Sequence, residues 1–188
     1  MGKTVAIVNQ KGGVGKTTTC VNLAAALAAM GVKVLVCDFD PQGNATSGFG
    51  VDKSRSPSVY EVLMGSAEAK RAIVSTRWGD VLPASKALSG ATVELIALDR
   101  REYRLKEALA TVKDQYDFIF IDCPPSLELL TLDALCAADT LLVPVQCEYY
   151  ALEGLSDLLY TVRLAKRSLN PALGLEGVVL TMYDGRTN

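Results

Sequence analysis

The sequence predicts an α/β, doubly wound domain in which helices cover both faces of a mainly parallel sheet. Three observations carry that prediction. Short β-branched runs recur along the chain, longer stretches of helical spacing separate them, and a glycine-rich turn joins the first run to the first helix.

The elements follow in order. A strand is expected over residues 4–8, then an Ala- and Leu-rich helix over 17–30 that stops at Gly31. A second strand covers 32–37. Residues 43–58, rich in Gly and Ser, read as a mobile loop. Weaker strands lie near 81–83 and 93–98, helical spacing returns over 101–113, and a strand follows at 118–121. A helix over 129–138 and a strand over 140–145 come next. Leu152, Leu155, Leu159, Val162 and Leu169 mark one face of a long helix that stops before Pro171, and a last strand covers 177–181. The sequence closes on Asp184-Gly185-Arg186-Thr187-Asn188 without another helix. The expectation is one domain, 1–188, lacking its C-terminal portion.

Nearly half of the 188 residues are apolar and the net charge is -2. That balance argues against a chain that coats nucleic acid or anionic lipid by bulk charge. Two local basic runs stand out, Arg100, Arg101, Arg104 and Lys106, and then Arg163, Lys166 and Arg167. The first reads as a solvated face and the second as favourable charge at a helix C-terminus; a share in a DNA-binding face is the alternative for both. The five cysteines, Cys20, Cys37, Cys123, Cys136 and Cys147, are odd in number and widely spaced, with no C-x-x-C pair. They suit small buried thiols in a reducing compartment better than a disulfide framework or a zinc site. The N-terminus has Ala6 where a myristoylation signal needs Ser or Thr, and the longest nearly apolar run, 23–30, is far below the ~18 residues that span a bilayer. The expected location is the cytoplasm. Tyr149 and Tyr150 read as packing or interface residues.

The chemistry concentrates after the first strand, in Gln10-Lys11-Gly12-Gly13-Val14-Gly15-Lys16-Thr17-Thr18. Glycines let successive backbone N–H groups turn toward one point, and the N-terminus of the next helix adds partial positive charge, so such a turn cradles phosphate. Lys16 can follow the β- and γ-phosphates of ATP, and the Thr17 hydroxyl can ligate Mg²⁺. Gln10 replaces the first glycine of the general motif, and Lys11 is an additional lysine. Asp122 ends an apolar strand, at the edge of an open α/β sheet where ligands sit, and can hold Mg²⁺ there. Asp38 and Asp40 follow the second strand toward the same edge; Asp-Pro-Gln-Gly is also good turn chemistry, which leaves a purely structural role open.

Lys11-Gly12-Gly13-x-Gly15-Lys16-Thr17 resembles the deviant phosphate loop of the ParA/MinD class of ATPases. Three further stretches resemble the ParA/Soj partition proteins within it, beginning Asp38-Phe39-Asp40-Pro41-Gln42-Gly43-Asn44, Ile121-Asp122-Cys123-Pro124-Pro125-Ser126 and Pro144-Val145-Gln146-Cys147-Glu148. The resemblance runs from residue 3 to 188. It implies a P-loop fold like that of the nitrogenase iron protein, with the Asp122 strand beside the phosphate-loop strand. It further implies a slow ATPase that dimerises with ATP, binds DNA non-specifically on the nucleoid and works with a ParB/Spo0J-type partner, with no membrane role. By the same resemblance Asp40 positions the attacking water, Asp38 lies near the metal, and Lys11 reaches the phosphates of the second subunit. A MinD-type membrane-associated regulator, a redox ATPase like the nitrogenase iron protein and a ligase of the dethiobiotin synthetase type are the rival readings.

Overall fold

The computed structural model describes residues 2–148 and 151–186, with the side chains of 151–153 outside the description. Tyr149 and Tyr150, and the side chain of Leu152, therefore lie outside the described residues. The strands are β1 (Lys3–Ile7), β2 (Val34–Asp38), β3 (Val74–Thr76), β4 (Gly79–Leu82), β5 (Phe118–Asp122), β6 (Thr140–Gln146) and β7 (Gly174–Thr181). The helices are α1 (Lys16–Ala29), α2 (Asn44–Gly48), α3 (Val59–Met64) and α4 (Ala69–Ala72), followed by α5 (Leu88–Leu95), α6 (Arg104–Ala110), α7 (Leu129–Ala137) and α8 (Ala151–Ser168).

The strands form one sheet ordered β3-β4-β2-β5-β1-β6-β7, parallel except for the β3–β4 hairpin. Alternate side chains of a strand point to opposite faces, and both faces are covered. Val5, Ile7, Val34, Val36 and Phe120 pack under α1 and α2. Ala6, Leu35, Cys37, Ile119, Ile121, Val143 and Val145 pack under α3 and α5 to α8. Burial on both sides explains why the central strands read as continuous apolar runs.

Local signals set the helix ends. Gly31 takes a left-handed φ of 84° after α1, its N–H donates to Ala28 O (2.9 Å), and the Val32 N–H donates to Leu27 O (3.1 Å). This is a Schellman stop, and the left-handed residue within it is why glycine ends the helix. On α8 the buried stripe is Leu155, Leu158, Val162 and Ala165; Leu159, expected on that stripe, is 37% exposed.

Two expected elements are corrected. Residues 93–98 are not a strand, because Leu88, Ala91 and Leu95 are the buried positions and their three- and four-residue steps are helical; they lie on α5, with Val93 and Ile96 turned outward. Residues 43–58 are not simply a loop, since α2 lies inside them and α3 begins directly after. The signal for α3 was present: Ser58 and Glu61 form a capping box, with the Ser58 N–H donating to Glu61 Oε2 (2.7 Å). Four cysteines are buried as expected, but Cys147 is exposed. Among the described residues no helix is long and apolar enough to cross a membrane.

Asp133 lies fully buried on α7, and neither carboxylate oxygen has a hydrogen-bond partner among the described residues. Burial pushes its carboxyl up to about 8; the charge of Glu102 adds to the push and Arg101 opposes it. The folded protein thus holds this proton at pH values where the unfolded chain, with an ordinary Asp near 4, has lost it. The resulting stabilisation is complete below about pH 4 and is lost as pH rises toward 8, by up to about 1.4 kcal/mol per pH unit. Asp133→Asn removes the titration. Urea midpoints at pH 5.5 and 7.5 should show the variant gaining on the parent at the higher pH, whereas parallel pH dependences would show that native Asp133 is ionised.

Candidate nucleotide site

The site forms where three adjacent strands end. Ile7 on β1 pairs with Asp122 on β5, which pairs with Asp38 on β2, so register alone puts two carboxylates side by side next to the chain leaving β1. That chain enters the glycine turn. Gly13 (φ 73°) and Gly15 (φ 91°) are left-handed. At Gly13 an added Cβ would meet no atom within 4 Å, so the backbone angle and not space calls for glycine. Gly15 is the N-cap of α1 and offers no side-chain oxygen, which leaves the first-turn N–H groups available to an anion at the positive end of the helix.

Each expected loop residue has a definite place. Gly12 and Gly13 are exposed at the mouth, and Val14 is buried with its carbonyl accepting from Thr181 Oγ1 (2.8 Å). Lys16 is buried and curls back to donate from Nζ to Lys11 O (2.9 Å). Burial pushes its ammonium below the ordinary lysine value, while the negative charge of Asp122 and, less, of Asp40 opposes that push. Thr17 and Thr18 open α1 and, with Gly12, Gly13, Gly15 and Lys16, line a cavity of about 330 Å³ closed by Asp40, Gln42, Asn44, Pro125 and Met182. Lys11 does not line this cavity; its side chain turns to Glu148 in an ion pair. A larger cavity of about 480 Å³, between α3, α4 and α6, contains none of these groups.

The three acids differ in what they touch. Asp38 is fully buried, and its Oδ2 accepts from both the N–H and the hydroxyl of Thr46 (2.6 Å each), while Oδ1 accepts from the Asp40 N–H (3.3 Å). Burial raises its carboxyl to about 6 even though the Thr46 bonds pull it down. Asp122 is raised to about 7, first by burial and then by the charge of Asp38, with Thr17 and Lys16 opposing. Thr17 is thus near enough to be felt, yet neither Asp122 oxygen has a partner at hydrogen-bond geometry among the described residues. Asp40 spends Oδ1 on the Gln42 N–H (2.9 Å), and its carbonyl accepts from the Gly43 N–H (2.8 Å), which is the turn chemistry of Asp-Pro-Gln-Gly; it also lines the cavity.

This donor set suits a small hard cation. Asp122 presents two buried, unmatched oxygens beside a hydroxyl on the last residue of the loop motif, and magnesium prefers a few such ligands with water completing its shell. Asp38 is the expected metal-side residue whose oxygens are already engaged. Thr46 was missed by sequence reading because it lies in the stretch taken for a loop, with nothing local to link it to Asp38. Of the basic runs, Arg100 pairs with Glu107 (3.0 Å), Arg101 donates to Ile96 O (3.3 Å) and Arg104 donates to Leu63 O (3.2 Å), whereas Arg163, Lys166 and Arg167 are exposed on the last turns of α8.

A glycine turn between a parallel strand and a helix, with a buried lysine and a strand-end carboxylate beside it, defines a P-loop ATPase domain, and the family described as AAA domain matches residues 2–175. The sporulation initiation inhibitor protein Soj of Bacillus subtilis is 58% identical over all of this chain and 76% of its own length. The chromosome partitioning protein ParA of Myxococcus xanthus is 52% identical over all of this chain and 68% of its own. The chain belongs to the Soj/ParA family of partition ATPases. Among solved structures, a Mycobacterium smegmatis protein named cobyrinic acid a,c-diamide synthase, with bound ADP and magnesium, superposes with a TM-score of 0.95 at 45% identity, over all of this chain and 77% of that one. A plasmid partition protein from Borrelia burgdorferi gives 0.86 at 27%, over all of this chain and 83% of that one.

Thr46 can be tested directly. Thr46→Val keeps the shape but takes a hydroxyl from buried Asp38 and an acceptor from the Ala84 N–H, now at 3.0 Å. Leaving a buried partner unsatisfied costs about 1–3 kcal/mol. Urea denaturation should show a loss of at least about that size, and a change below roughly 0.5 kcal/mol would remove Thr46 from the support of Asp38.

Proposed function

We propose that this protein is an ATP-hydrolysing switch. With ATP, two copies join; the homodimer binds DNA without sequence preference, and hydrolysis, stimulated by a ParB/Spo0J-type centromere-binding partner, releases it, so that cycles of turnover drive chromosome or plasmid segregation. The protein would act in the cytoplasm, on the nucleoid in its ATP state. The observation that carries this reading is the charge arrangement at one sheet edge: buried Lys16 over the glycine turn, with unmatched Asp122 directly beside it. Membership of the partition ATPase family and the nucleotide and magnesium bound by the M. smegmatis protein support it.

In this mechanism the loop from Gly12 to Thr18 holds the phosphates on main-chain N–H groups, and Lys16 follows the β- and γ-phosphates. Thr17 and Asp122 would hold Mg²⁺, with Asp38 behind them keeping the site negative. Magnesium, when bound, neutralises phosphate charge during transfer. Asp40 accepts a hydrogen bond from the attacking water and orients it. Lys11 extends to the phosphates of the second subunit and stabilises charge as the γ-phosphoryl group leaves.

Two variants test the assignments. Lys16→Ala should abolish binding of ATP-Mg²⁺ in calorimetric titration, and an affinity within about threefold of the parent would sink the loop assignment. Asp40→Ala should bind ATP and dimerise but stay dimeric, with turnover per folded molecule reduced at least about 10²-fold. Because Asp40 also holds its own turn, some stability will be lost in either case. Near-parental turnover by the folded fraction would confine Asp40 to that turn.

A further inference from the structure

Three consecutive side chains ahead of the glycine turn reach one distant segment. Asn9 Nδ2 donates to Pro144 O (2.8 Å), Gln10 Nε2 donates to Gly154 O (3.2 Å) and Asp157 Oδ2 (3.3 Å), and Lys11 forms its ion pair with Glu148. The approach to the loop is therefore docked on the end of β6 and the first turns of α8. The docking also sorts the two lysines. Lys16 is held inward by the Lys11 carbonyl, while the Lys11 ammonium is drawn outward onto a carboxylate of its own chain. An ammonium seated on Glu148 is not available to a phosphate on another copy.

We propose that Glu148 is the resting counter-ion of Lys11, and that exchange of this carboxylate for a nucleotide phosphate of a second copy sets how readily ATP joins two copies. The proposal rests on the cross-subunit reading of Lys11 given above. Both members of the pair are about 40% exposed, so solvent and salt screen it. Such a pair is worth at most about fivefold in an equilibrium constant. That modest size suits a gate, because a multiply charged phosphate in an interface that excludes water can outcompete an exposed carboxylate. A symmetric dimer exchanges two pairs, so removing the carboxylate should tighten ATP-dependent dimerisation by about 3- to 30-fold.

Glu148→Gln keeps the side-chain shape and removes the charge. The dimerisation constant in ATP-Mg²⁺ is measured by sedimentation for the parent, Glu148→Gln, Lys11→Ala and the double variant, and ATP affinity by titration at concentrations where the protein is monomeric. Glu148→Gln is expected to dimerise about 3- to 30-fold more tightly with ATP affinity within twofold of the parent, and to give no gain when Lys11 is alanine. Unchanged or weakened dimerisation by Glu148→Gln, alongside the expected loss in Lys11→Ala, overturns the counter-ion role and leaves the reading of Lys11 standing. An equal gain in the Lys11→Ala background overturns it too, since Glu148 would then act without Lys11. Parental dimerisation by Lys11→Ala alone overturns the underlying reading of Lys11, and the proposal with it.

Discussion

Everything at the site depends on β5 lying between β1 and β2 in strict register. Ile7, Asp122 and Asp38 end their strands level with one another, so the glycine turn, one carboxylate and then a second follow across the sheet edge without any loop having to reach. Parallel pairing makes this possible, because only parallel neighbours end at the same edge. The same register imposes a cost. Both carboxylates are taken out of water and pushed well above the ordinary carboxylate range, first by that burial, with the charge of Asp38 adding to the push on Asp122 and that of Asp40 to the push on Asp38.

The two acids resolve that cost differently, and the difference separates their roles. Asp38 is satisfied by the N–H and hydroxyl of Thr46, so α2 exists in part to serve a buried acid. Asp122 is left with neighbouring charge and no direct partner among the described residues, although Lys16 and Thr17 stand close by. A buried unmatched carboxylate is unfavourable in the bare protein and favourable to any cation that arrives with its ligands. The lysine that faces it is itself desolvated, so both signs of charge are held ready in a place where water contributes little.

The loop is as firmly placed as the carboxylates. Val14 is tied to β7 through Thr181, and Asn9 and Gln10 are tied to β6 and α8, so residues ahead of the glycines and among them are anchored in strands and helices far away in sequence. Gln10 occupies the position where the general motif has glycine, and its amide fills that place with contacts to α8. The site is thereby joined mechanically to α8, whose far end carries exposed basic residues.

Elements whose reasons are local were legible in the residues. The alternation of strands and helices follows from apolar runs buried on two faces, the stop of α1 from Gly31, and the phosphate loop from glycines and lysines within eight positions. The stretch at 93–98 misled because its apolar content suits a strand as well as a helix; the choice was made by packing at Leu88, Ala91 and Leu95. Ser58 and Glu61 announced α3 locally and went unread. By itself, then, the sequence determined the class of fold, the phosphate-binding turn and which strands carry carboxylates, since each depends on neighbours along the chain. Only the tertiary structure decided that Thr46 answers Asp38, that the Asp122 oxygens have no hydrogen-bond partner among the described residues, and that Lys11 turns to Glu148. Those are meetings of side chains from separate elements, settled by strand register and by how helices pack across the sheet.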